Sequence, residues 1–112
     1  MFTHQGAYWE APYRDVSERF SYAESGASEA YFEDFLAPAL EKAEKEGCEL
    51  YCGEYGVIDV VPPEEALKWF RDLHEVFERH HIAHSVWSWK QMDFGLSDAR
   101  MDAVREELLP LL

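Results

Sequence analysis

Positive charge is scarce in this chain. Ten Lys and Arg stand against 23 Asp and Glu among 112 residues, for a formal net charge of −13. Such a balance excludes the ordinary route to nucleic acid, whose affinity comes largely from cations neutralising phosphates. It equally disfavours an anionic membrane surface. No apolar run is long enough to span a bilayer, and no basic segment followed by an apolar stretch opens the chain. Cysteine is nearly absent. Cys48 and Cys52, extended, would sit roughly 13 Å apart, beyond disulfide reach, and two lone thiols make no zinc site. The compartment is therefore left undefined. Apolar and aromatic side chains, by contrast, are plentiful at 47% and 15%, enough for the core of one modest domain.

Residues 1–27 mix aromatics with polar groups and follow neither the helical nor the strand period. A loop of that length is usually functional, and Tyr8, Trp9, Tyr13, Phe20 and Tyr22 argue against disorder. The remainder, 28–112, alternates helix and strand. Ser28 caps a helix with Phe32, Phe35, Leu36, Leu40 and Ala43 on one face. Pro38 is predicted to kink or break it, and Gly47 to end it. A buried strand follows through Leu50–Val57. Pro62 and Pro63 then start a second helix with acids in its first turn. Its buried face is Ala66, Leu67, Phe70, Leu73, Val76 and Phe77, with Trp69 near that face as packing. A second strand is predicted over Ile82–Trp89, then a polar loop, then a helix capped by Ser97. Strands alternating with helices imply right-handed crossovers and parallel pairing. Two parallel strands make no self-sufficient sheet, so the expectation is either a piece of a larger fold or edges covered by self-association.

One carboxylate stands out. Glu54 lies between Gly53 and Gly56 at the end of the first strand, ahead of a helix, where α/β barrels hold reacting groups. Flanking glycines allow sharp dihedrals or close approach of a ligand. His74, His80, His81 and His84 lack the acidic neighbours of a metal site and read as helix-end or surface residues. No metal or cofactor is expected.

Three motifs in this order resemble the C-terminal part of glycoside hydrolase family 5, the cellulase family of (β/α)8 barrels. They are Phe2-Thr3-His4-Gln5-Gly6-Ala7 with Trp9, then Gly53-Glu54-Tyr55-Gly56, then Trp87-Ser88-Trp89 with Phe94-Gly95. The resemblance covers essentially the whole chain. It implies an α/β fold that is a partial TIM barrel, its last two to three βα units, with residues 1–27 as a substrate-side loop. By the same resemblance Glu54 is the nucleophile of a retaining β-glycosidase acting on β-1,4-glucan or mannan, and Trp87 the sugar platform. His4, Trp9 and Trp89 fall at substrate-binding positions. Lys90, Gln91 and Asp93 could hydrogen-bond sugar hydroxyls. The family's acid/base Glu, in an Asn-Glu-Pro motif, and its His-x-Tyr pair have no counterpart here, so Met1 matches a point inside the barrel. The expectation is an incomplete, inactive chain that self-associates or joins a missing N-terminal portion. The alternatives are a non-catalytic glycan-binding or half-barrel assembly module, or a truncated gene product.

Overall fold

The computed structural model describes the strand β1 (Phe2–Thr3) and residues 26–112. His4 and Trp9 lie outside the described residues. After β1 come α1 (Glu29–Glu46), β2 (Tyr51–Gly56), α2 (Pro63–Arg79) and β3 (Ala83–Val86). A 3-10 turn, Ala99–Val104, leads into the short α3 (Arg105–Leu108) and a closing 3-10 turn, Leu109–Leu111. The three strands form one sheet in the order β1-β2-β3, both pairs parallel. This is the strand–helix alternation predicted, with one addition. Phe2 and Thr3, which show no strand period because two residues are too few to have one, pair with Tyr55 and Gly56.

Local chemistry explains where the helices start and stop. Ser28 is extended, and its Oγ accepts the Tyr31 amide at 3.1 Å. Gly47 closes α1 in the left-handed region at φ 64°, where a side chain would be strained. Between these caps α1 runs unbroken through Pro38, so the predicted break does not occur. Pro38 and Asp34, whose carbonyl loses its i+4 partner, are both exposed; water can satisfy that carbonyl. Phe35 was placed on the buried face and is instead 51% exposed, stacked on Tyr31.

The strongest helix face belongs to α2. Leu67, Trp69, Phe70, Leu73, Val76 and Phe77 are all buried. They pack against Tyr55 of β2, Phe32 of α1, and Met101, Val104 and Leu108 of the C-terminal turns. Trp69 is central, edge-on to Phe32 at 5.7 Å and to Phe70 at 5.0 Å. Burying rings of this size contributes about 1.5–3 kcal/mol each. The last helix departs from expectation. Asp98, not Ser97, precedes it, and six of its residues are 3-10; the Ser97 amide ties the preceding loop to the Trp89 carbonyl at 2.8 Å.

Among the described residues, helices cover one face of the sheet only. Cys52, Tyr55, His84 and Val86 face that core, while Tyr51, Gly53, Ala83 and Ser85 are exposed. The outer edge of β3 is likewise unpaired among the described residues. Parallel sheets ordinarily have both faces covered.

Candidate functional site

Register along β2 determines how Glu54 is held. Cys52 pairs with His84 and Tyr55 with Val86, so three steps on β2 match two on β3. The extra residue is a bulge at Gly53-Glu54, and it breaks the alternation of faces. Cys52 and Tyr55, three apart, therefore both turn toward the helices, and Glu54 is freed from the regular pattern. Glu54 is half-buried. Its carbonyl faces the Cys52 thiol at 3.6 Å, and burial pushes that thiol above its ordinary pKa, keeping it protonated.

The residue after Glu54 anchors it from below. Tyr55 is 1% exposed, ringed by Trp69, Phe70, Phe77 and His84 at 5.2–6.2 Å. Its hydroxyl has no hydrogen-bond partner among the described residues. Burial raises its pKa well above 10.

Gly53 and Gly56 were expected to serve through unusual dihedrals or close approach. Neither has a positive φ, so only the second reason applies, and only at Gly56. A Cβ there would stand 2.1 Å from the Trp87 carbonyl oxygen and 3.3 Å from the Phe94 ring. The Trp87 amide also donates to the Tyr55 carbonyl at 2.7 Å. Trp87 thus lies alongside the end of β2, 39% exposed. Beyond it, Ser88 is buried while Trp89 is 60% exposed. The Trp87–Ser88 peptide is cis.

Ser88 organises the loop that carries both tryptophans. Its Oγ donates to the Gln91 carbonyl at 2.7 Å, and its carbonyl accepts the Leu96 amide at 3.0 Å. Gln91, Met92 and Asp93 all take left-handed φ values between 61° and 65°, a conformation non-glycine residues hold only when their surroundings impose it. The Asp93 carbonyl accepts the Asp59 amide at 2.7 Å, tying this loop to the one after β2. Lys90, Gln91 and Asp93 are exposed there. Ser88 is not singled out from sequence as a site residue, and Gly56 is not distinguished there from Gly53. A buried serine between two exposed tryptophans leaves no periodic signal.

The structure therefore brings Glu54, Trp87, Trp89 and the 90–93 loop to the C-terminal ends of parallel strands. A cleft of about 510 Å³ adjoins Glu54 between β2 and the Leu36–Ala39 turn of α1. A larger one, about 600 Å³, is lined by Glu33, Cys48, His80 and His81 at the opposite ends of the strands. There the histidines have structural work. His80 contacts Glu33 at 2.7 Å, and Arg79 pairs with Glu29 and Glu33. Burial pushes the Glu33 carboxyl upward, but His80 and Arg79 outweigh it and hold it below the ordinary value. His84 stacks on Phe77 at 4.6 Å with Nδ1 on the Ile82 carbonyl.

A carboxylate and exposed aromatics on the C-terminal rim of a parallel sheet define a piece of an α/β enzyme scaffold of the barrel kind. Comparison makes this particular. The chain is 52% identical over 82 residues to cellodextrinase A of Ruminococcus flavefaciens, matching 73% of this chain and 24% of that protein. It is 40% identical over 77 residues to endoglucanase C of Acetivibrio thermocellus, matching 69% of this chain and 22% of the relative. Among solved structures, Thermotoga maritima Cel5A with mannotriose aligns at a TM-score of 0.67 and 23% identity over 99% of this chain and 35% of Cel5A. Its complex with cellobiose aligns at 0.66 and 21% over 98% and 35%. No family model matches the chain. In sequence and fold alike, the chain resembles the C-terminal portion of the cellulase family, glycoside hydrolase family 5. It spans about a quarter of the length of the curated relatives it matches.

Proposed function

We propose that these 112 residues form the last two to three βα units of a (β/α)8 glycosidase barrel, with Glu54 as its nucleophile. The observation carrying this is the shared rim: Glu54 on the β2 bulge, with Trp87 bonded to the adjoining Tyr55 carbonyl at 2.7 Å. Identity of 52% to a cellodextrinase supports the reaction class. A retaining glycosidase needs two carboxyl groups about 5–5.5 Å apart, one to attack the anomeric carbon and one to shuttle the proton. Glu54 would supply the first. It forms the bond to the anomeric carbon as the protonated leaving oxygen departs, and water later releases the sugar from the Glu54 ester. Trp87 would carry the sugar on its exposed face, aromatic rings being suited to the C–H faces of pyranoses.

The second carboxyl belongs to the part of the barrel that the matched relatives carry beyond this segment. Asp59 and Asp93 are exposed loop residues engaged to each other through their backbones, which does not fit a general acid held in a dry pocket. On their own, these residues are therefore expected not to turn over substrate. The class of substrate is β-1,4-linked glucan or mannan, in keeping with relatives named cellodextrinase and endoglucanase and with the cellobiose and mannotriose complexes of Cel5A. Joining these residues to the N-terminal three quarters of cellodextrinase A tests this. Hydrolysis of soluble cellulose, lost in Glu54→Gln, with a 2-fluoro-sugar trapped on Glu54 in the mass spectrum, is the expected result. Trapping on another residue refutes the assignment.

A second reading is a non-catalytic glycan-binding or assembly module, favoured by the exposure of Trp87 and Trp89 and by a sheet face left uncovered among the described residues. The open β3 edge makes self-association its natural state. A sedimenting monomer at low concentration, with no change in Trp fluorescence on adding cellotriose, counts against this module.

A further inference from the structure

Two glycines flank the Glu54 segment, and their surroundings differ sharply. At Gly53 a Cβ would meet, among the described residues, only the Tyr51 ring, at 3.4 Å, an ordinary contact with a flexible side chain. At Gly56 it would meet the Trp87 carbonyl oxygen at 2.1 Å and the Phe94 ring at 3.3 Å. Backbone lies on one side of that point and an aromatic ring on the other. Neither φ is positive, so the demand at Gly56 is for space and not for dihedral freedom. The space is used by a segment more than thirty residues away in the chain. Trp87 crosses the end of β2 there, its amide on the Tyr55 carbonyl at 2.7 Å and its own carbonyl over Gly56.

We propose that Gly56 is a positioning residue, the seat on which the Trp87 backbone docks so that the Trp87 indole is presented beside Glu54. This rests on the reading of Trp87 as a sugar platform for its functional consequence, though not for the seat itself. The Trp87 backbone is fixed on both sides, by its carbonyl over Gly56, its amide on the Tyr55 carbonyl and the buried Ser88 that follows. Trp87 is 39% exposed, and a shift of its backbone carries the indole with it. Phe94 closes the seat from the loop side. A side chain on Gly56 would lift the Trp87 peptide away from β2 and displace the indole relative to Glu54. A side chain on Gly53 would not.

The test compares Gly53→Ala with Gly56→Ala in the full chain by NMR, with the Trp87 indole assigned through Trp87→Phe and Trp69, buried in the core, as the marker of intact folding. In Gly56→Ala the Trp87 indole resonance moves and its amide exchanges roughly tenfold faster, the loss of one ladder bond, while Trp69 stays in place. Gly53→Ala leaves both tryptophans where they are. An unmoved Trp87 in Gly56→Ala, or an equal shift in Gly53→Ala, overturns the proposal. If Gly56→Ala does not fold, Phe94→Ala opens the seat without adding volume. Movement of Trp87 with Trp69 unchanged then supports the seat, and an unmoved Trp87 refutes it. Cellotriose titration followed by Trp fluorescence judges the platform reading separately. Binding that weakens in Gly56→Ala and not in Gly53→Ala joins the two, whereas loss of neither removes the functional consequence and leaves the seat to the NMR result.

Discussion

Replacing Tyr55 by phenylalanine is expected to stabilise the chain, although it alters the middle of the Gly53-Glu54-Tyr55-Gly56 stretch. The ring of Tyr55 is 1% exposed and its hydroxyl has no partner among the described residues. A buried hydroxyl without a hydrogen bond costs about 1–3 kcal/mol. Phenylalanine removes that cost and keeps the contacts with Trp69, Phe70, Phe77 and His84. Taking the middle of that range, about 2 kcal/mol, and a urea m-value of about 2 kcal/mol/M, the midpoint rises by roughly 1 M at constant slope. The gap has a pH signature. Burial raises the Tyr55 pKa above its ordinary value of 10. The native state therefore holds that proton more tightly than the unfolded chain, so the stability it represents is intact below pH 10 and drains away as the pH climbs past it. The difference between Tyr55→Phe and the parent must widen above pH 10. Tyr55→Ala, which leaves a cavity under β2, must lose about 3–5 kcal/mol instead. A lower urea midpoint for Tyr55→Phe would refute the reasoning, since it would mean the hydroxyl is bonded.

Other consequences follow from the same contacts. Trp69→Ala, removing a ring 1% exposed between α1, α2 and β2, should cost about 3–5 kcal/mol, read as a loss of most of the cooperative unfolding transition. Gly56→Ala should cost about 1–3 kcal/mol through overpacking against the Trp87 carbonyl, and Gly53→Ala close to nothing, by urea titration of each. Glu33, held below its ordinary pKa by His80 and Arg79 against the effect of burial, adds stability that is present above pH 4.5 and lost as the pH falls through its lowered value. Glu33→Gln should therefore flatten the acid limb of the stability curve, and an unchanged limb would dismiss the cluster as a contributor.

Much of the architecture was legible from residue order alone. Ser28 and Gly47 bracket α1, Pro62 and Pro63 open α2, and the six predicted core positions of α2 are buried. These features depend on neighbours within a turn or two of helix, and short-range chemistry is written directly in sequence. The positions of Glu54 on β2 and of the tryptophans just after β3 were legible too, through spacing and likeness to the cellulase family, although β3 itself, Ala83–Val86, is shorter than the predicted Ile82–Trp89. His4 and Trp9, carried by the same likeness, lie outside the described residues.

What escaped the sequence involves contacts between segments far apart. Phe2 and Thr3 became a strand only because β2 offered an edge. Pro38 left α1 intact because the carbonyl it disowns faces water. The last helical element begins after Asp98 and not Ser97, while the Ser97 amide reaches across to the Trp89 carbonyl. The bulge that frees Glu54 from alternation is a register difference between β2 and β3, and no single strand records a register. Sequence by itself determined the alternation of helix and strand, the core face of α2, and that a carboxylate and a tryptophan end successive strands. Only the tertiary structure decided which glycine matters, because a 2.1 Å approach of the Trp87 carbonyl to the missing Cβ of Gly56 exists only once two strands lie side by side.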